Sequence, residues 1–108
     1  MAGRTQALKS KFVVSPEAEE DVFHISRYLF REANVVTANR IEAELLDAFA
    51  NLAKTPNQGH RRSDLTSARV LFYTVYQYMV VYRLGPPVQI VGVLHGRRDV
   101  RKILGKRL

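Results

Sequence analysis

Arginine and histidine gather at three places along this chain, and each gathering suits phosphate chemistry. Arg61 and Arg62 follow His60 in the stretch GHRRSDL, Arg83 ends the run VVYR, and His95, Arg97, Arg98 and Asp99 stand together in HGRRD. A guanidinium presents a planar fork of N–H donors that grips two phosphate oxygens at once. Histidine can give or take a proton near neutral pH. If the three groups converge, they form a cationic patch fitted to a polyanion. Cleaving RNA through its 2′-hydroxyl asks for more: a base, an acid for the leaving oxygen and cations around the crowded phosphate. Arg83, Arg97 and Arg98 supply cations and His95 an acid. A base is hard to find, because no glutamate follows Glu44, no tyrosine follows Tyr82, and Asp64 and Asp99 are the only carboxylate side chains of the second half. His60, Asp64 and His95 are the best metal-ligand set, but their spacing matches no recognised pattern and there is no cysteine, so neither metal nor cofactor is expected.

The same residues also have structural readings. Gly59 permits a backbone conformation closed to other residues, so GHRRSDL reads as a sharp turn re-entering a sheet, with Asp64 capping it or pairing with an arginine. Asp99 can pair with Arg98 to hold the last turn, Arg83 can pair with Asp64 or Asp99, and His95 can simply end a strand. Tyr73, Tyr76, Tyr78 and Tyr82 read as packing residues of strands.

These positions need elements to hold them. The chain has 108 residues, enough for one domain with its own core. Residues 1–11 are small, polar and basic and read as a flexible arm. Phe12, Val13 and Val14 suit a short strand. Ser15 followed by Pro16 starts a helix running to about Glu32, with Ala18, Val22, Ile25 and Leu29 at helical spacing. Asn34 caps a second helix with the stripe Ala38, Ile41, Leu45, Ala48 and Leu52, stopped at Thr55 and Pro56. The short link makes the pair an antiparallel hairpin. VLFYTVY, YMVVYRL and VQIVGVLH, rich in β-branched and aromatic residues, read as a three-stranded antiparallel meander. The expected architecture is α+β: an N-terminal strand, a helix hairpin on a meander, and a short C-terminal helix or tail. The folded domain is expected over residues 12–104, with 105–108 as a tail.

Charge divides the chain. Residues 1–55 hold seven Lys and Arg against eight Asp and Glu, while residues 56–108 hold ten against two. The net charge of +7 therefore belongs to the second half, whose field attracts nucleic acid or an acidic protein. A solvated basic face is the plain alternative. No run is apolar for the roughly 18 residues a membrane helix needs, so a cytoplasmic protein that does not engage the membrane is expected.

The order of elements, with GHRRSDL, VLFYTVYQYMVVYR and IVGVLHGRRD, resembles the ParE and RelE superfamily of toxins from bacterial type II toxin–antitoxin systems. The resemblance covers roughly Phe12 to Leu104. Gly59, His60, Arg62, Asp64 and Leu65 match one motif, GHxRxDL, and Val93, Leu94, His95, Gly96, Arg98 and Asp99 match a second, VLHGxRD; the pair points to the ParE-like branch. The resemblance implies a plasmid-stabilising toxin neutralised by a cognate antitoxin, ParD-like or of another type. It also implies growth inhibition by binding and blocking DNA gyrase; the basic residues Arg61, Arg62, Arg83, Arg97 and Arg98 are the candidate target-binding residues. RelE-like relatives instead cleave messenger RNA in the ribosome; under that alternative Arg83 and His95 are the catalytic residues, although neither known RelE-like catalytic set is complete here. A non-toxic basic binding module is the third reading.

Overall fold

A computed structural model of the chain describes residues 12–108. The basic arm expected over residues 1–11 lies outside them. Strand β1 (Phe12–Val14) leads into helices α1 (Pro16–Glu32) and α2 (Val35–Lys54). A single 3₁₀ turn (Pro56–Gln58), strands β2 (Leu71–Val75), β3 (Tyr78–Arg83) and β4 (Val88–His95), and helix α3 (Val100–Arg107) follow.

The helix starts follow from their capping residues. The Ala18 N–H donates to Ser15 Oγ at 3.0 Å with Pro16 in the first turn, and the Thr37 N–H donates to Asn34 Oδ1 at 2.7 Å. Each bond satisfies an amide that the helix itself leaves free. The expected stripe of α2 is buried throughout, from Ala38 to Leu52, and Phe49 joins it.

The strands form one sheet in the order β1-β4-β3-β2. The three later strands make the expected antiparallel meander, and β1 completes the sheet by pairing in parallel with β4, Phe12 opposite Val88. Helices cover both faces. Tyr78, Val80 and Tyr82 of β3 pack with Ile41, Leu45, Phe49 and Leu52 of the hairpin. Val81, with partly buried Met79 beside it, packs with Val100 and Leu104 of α3 on the opposite face. Two-sided burial explains why β3 reads as a continuous apolar run. A bulge interrupts β4: Val81 faces Gly92 but Tyr82 faces Ile90, leaving Val91 as the extra residue. The alternation of faces shifts there, so Val88, Ile90 and Val93 all join the hairpin-side core while Leu94 joins the other.

The expected C-terminal helix or tail is a helix: α3 continues to Arg107, which forms a partly buried ion pair with Asp21 of α1. Arg107 Nη1 and Nη2 donate to Asp21 Oδ2 and Oδ1 at 2.7 and 2.8 Å. β1 covers β4 only as far as Ile90. Beyond that point the edge of β4 has no partner strand among the described residues, and the Val93 N–H donates to Asp21 Oδ2 at 2.9 Å while the Val91 carbonyl accepts from Arg107 Nη1 at 3.3 Å. The ion pair thus replaces the missing strand and joins α1 to α3 around the sheet edge. A Cβ on Gly92 would stand 3.1 Å from Arg107 Nη1, so the bare glycine gives the guanidinium its path.

Candidate functional site

The segment Gly59–Leu65 runs along the outer edge of the sheet and then crosses toward α3. Gly59 has φ −78, an ordinary value, so the expectation of a special backbone conformation is corrected. Its requirement is close approach: an added Cβ would meet the Tyr82 hydroxyl at 2.6 Å and the Phe72 carbonyl at 2.9 Å. The Gly59 N–H donates to the Tyr82 hydroxyl at 2.9 Å, and that hydroxyl donates to the Pro56 carbonyl at 2.6 Å. His60 exchanges both backbone hydrogen bonds with Phe72, at 2.9 and 2.8 Å. The chain does re-enter the sheet here, as a one-residue extension beside β2.

From this anchor the arginines are placed. Arg62 grips Asp64 in two bonds, Nε to Oδ1 at 2.9 Å and Nη2 to Oδ2 at 2.8 Å. The hydrogen bonds to Arg62 hold the Asp64 carboxyl below its usual range, and the same contact raises the Arg62 guanidinium. The Asp64 carbonyl accepts two bonds from Arg101, at 3.2 and 2.7 Å, which tie the loop to α3. Leu65 packs into the α3-side core.

The second motif approaches from the other direction. The Gly96 N–H donates to the Gln77 carbonyl at 2.9 Å and the Arg98 N–H to the His95 carbonyl at 3.0 Å, which shapes the turn after β4. Asp99 does not pair with Arg98, contrary to expectation. Its Oδ1 accepts from the Lys102 N–H at 3.2 Å and caps α3. Capping uses the carboxylate and leaves the Arg98 guanidinium, among the described residues, without a carboxylate partner.

The two motifs meet. Arg62 and Leu65 from the first and Gly96, Arg98 and Asp99 from the second line one open basin of about 530 Å³, with Met79 and Arg101. Arg101 is a site residue that the sequence reading missed. Its signal was available: the first turn of α3 holds no acidic residue, and Arg101 and Lys102 put positive charge at the positive end of the helix dipole. That placement weakens the helix but adds to the potential of the basin.

The remaining arginines do not join this basin. Arg83 pairs with Gln89 at one end of β3 and Tyr78 pairs with His95 at the other, a separation of five strand residues, or roughly 17 Å. Arg83 faces a different recess with Glu17, Gln89 and Arg107, and makes no ion pair with a described carboxylate. Arg61 is exposed in the loop, outside the basin. Arg97 and His95 open toward the hairpin face. The His60, Asp64 and His95 trio does not assemble either: no metal-holding cluster occurs among the described residues.

A cationic basin stands at the rim of a sheet covered by a helix hairpin on one face and a short helix on the other, in a small basic α+β protein. The family described as "ParE toxin of type II toxin-antitoxin system, parDE" matches residues 12–100. The chain is 31% identical over 98 residues to Toxin ParE of Escherichia coli, covering 90% of this chain and 95% of that one. A solved structure titled "Chromosomal ParDE TA system from P. aeruginosa" superposes with a TM-score of 0.67 at 16% identity, covering 82% of this chain and 97% of that one. The protein belongs to the ParE toxin family of type II toxin–antitoxin systems.

Proposed function

We propose that the protein arrests growth by binding and blocking DNA gyrase, and that a cognate antitoxin neutralises it. The observation that carries this reading is the meeting of the two ParE-like motifs in one arginine basin, which gives them a shared surface for a target. Arg62 and Arg101 are held in place by Asp64, and Arg98 is available for an incoming anionic group. Pre-positioned guanidiniums lose less freedom on binding than free ones.

The antitoxin reading is supported by a second surface. Phe23, Phe30, Val36 and Leu46 of the hairpin are exposed by 55%, 61%, 70% and 48%. Apolar area of this kind suits an amphipathic segment of a partner. The ribonuclease alternative has less support, since Arg83 ends β3 beside Gln89 while His95 ends β4 beside Tyr78, at the far end of the strand pair.

The test is a supercoiling assay with purified gyrase, with and without antitoxin. The wild-type chain should inhibit, Arg98→Ala and Arg62→Ala should weaken inhibition at least tenfold, and Arg83→Ala should have a smaller effect. Full supercoiling at saturating protein would overturn the gyrase reading, and normal growth on expression without antitoxin would leave the non-toxic binding module.

A further inference from the structure

A second cavity, of about 680 Å³, lies on the hairpin side of the sheet between α1 and the turn end of β3 and β4. It shares only Arg98 with the arginine basin. Its volume falls within the roughly 300–1,000 Å³ of small-ligand sites. Ile25, Leu29 and Val93 give it apolar walls. Planar rings stand around it: Tyr28 is 55% exposed, and Tyr78 and His95 meet edge to face with centroids 5.5 Å apart.

The polar groups around the cavity are unevenly distributed. Tyr78 is only 6% exposed and its hydroxyl bonds to no described residue, yet no buried polar side-chain atom among those residues lacks a partner. That hydroxyl therefore keeps some solvent access, and Tyr78 lines the cavity. His95 Nδ1 accepts from the Arg97 N–H at 3.0 Å, so the neutral ring carries its proton on Nε2 and offers a donor. Arg97 and Arg98 line the same cavity and are exposed, and neither has a carboxylate partner among the described residues. Among the described residues Asp21 is the one carboxylate in the lining, and both of its oxygens are committed to Arg107 and the Val93 N–H. A cation finds no available counter-charge here. An anion carrying a flat ring finds cations, donors and aromatic faces together.

We propose that this cavity binds a nucleoside phosphate, its base against the exposed ring of Tyr28 and its phosphate on Arg97 and Arg98. Stacking on tyrosine tolerates any base, because every base has a π-face, and paired guanidiniums hold phosphate oxygens. The ligand is either a free mononucleotide or an unpaired residue of a nucleic-acid strand. The proposal rests on the cavity alone and does not depend on inhibition of gyrase.

The test is calorimetric titration of the full chain with each of the four ribonucleoside 5′-monophosphates, adenosine, and single-stranded RNA pentamers of each base. At least one monophosphate should bind, adenosine at least tenfold more weakly than AMP if AMP is among the binders, and Tyr28→Ala and Arg97→Ala should each weaken binding about tenfold. Both side chains are exposed, so neither variant threatens the fold, and Arg62→Ala in the other basin should leave the titration unchanged. A pentamer binding no tighter than its monophosphate would identify a free nucleotide; one binding at least tenfold tighter, with the same loss in both variants, would identify a strand. No binding of any probe at millimolar concentration, or binding indifferent to both substitutions, would overturn the proposal.

Discussion

The Tyr82 hydroxyl, buried between the Gly59 amide and the Pro56 carbonyl, shows how a single side chain holds the first motif in place. Tyr82→Phe leaves two backbone groups without a partner and should cost about 1–3 kcal/mol in urea denaturation. Gly59→Ala should cost a similar amount, about 1–3 kcal/mol, because Tyr82 is fully buried and cannot yield to the new Cβ. An unchanged midpoint for the alanine variant would show that the loop moves instead. Burial raises Tyr82, and burial followed by the neighbouring Tyr28 raises Tyr78, above the ordinary phenol value. The folded chain then keeps protons that the unfolded chain releases. Stability from these groups is complete below about pH 10 and is lost as pH rises through their higher folded values. Melting followed from pH 9 to 11 should show a shallower alkaline decline for Tyr78→Phe.

Among the elements, α3 depends on contacts at both of its ends. At its start Asp99 caps it, and Asp99→Ala should cost about 1 kcal/mol and loosen the seat of Arg98 and Arg101. Inhibition by that variant should fall more than its modest loss of stability explains, which a comparison of supercoiling inhibition with thermal melting will show. At its end Arg107 meets Asp21, with side chains exposed by only 19% and 6%. Arg107→Ala leaves a buried carboxylate without its partner and should cost about 3 kcal/mol. Gly92→Ala presses on the same guanidinium and should cost less. If the two act through one contact, the double variant should be no less stable than Arg107→Ala alone. A fully additive loss would separate the glycine from the ion pair.

Across the whole molecule, charge and apolar surface fall on different parts. The hairpin half is nearly neutral and exposes its aromatic and aliphatic residues, while the second half carries the arginine basin. A partner covering both would bind through two contributions that respond differently to salt. Antitoxin affinity should fall several-fold between low and high salt, because exposed charges are screened over roughly 8 Å at physiological ionic strength. Leu46→Asp on the hairpin should weaken the same complex without changing that salt slope. A salt-independent Kd would remove the basin from the antitoxin interface.

Local signals in the chain were sufficient for the elements themselves. Ser15 and Asn34 mark the helix starts because a short side-chain oxygen next to a helical run has one good use, and the period of Ala38, Ile41, Leu45, Ala48 and Leu52 follows from one buried face. The two motifs and the basic second half were likewise legible. What only the tertiary structure decided are relations between distant residues. Asp21 and Arg107 stand 86 positions apart, and nothing local links them; they pair because β1 is too short to cover β4 beyond Ile90. Arg83 and His95 look equivalent as arginine and histidine at strand ends, yet antiparallel pairing sends them to opposite ends of the sheet. Arg62, Arg98 and Arg101 come together for the same reason, since the edge loop and the turn after β4 arrive at one rim. Residue types and periodicity determine which elements form; the register of the strands determines which side chains share a site.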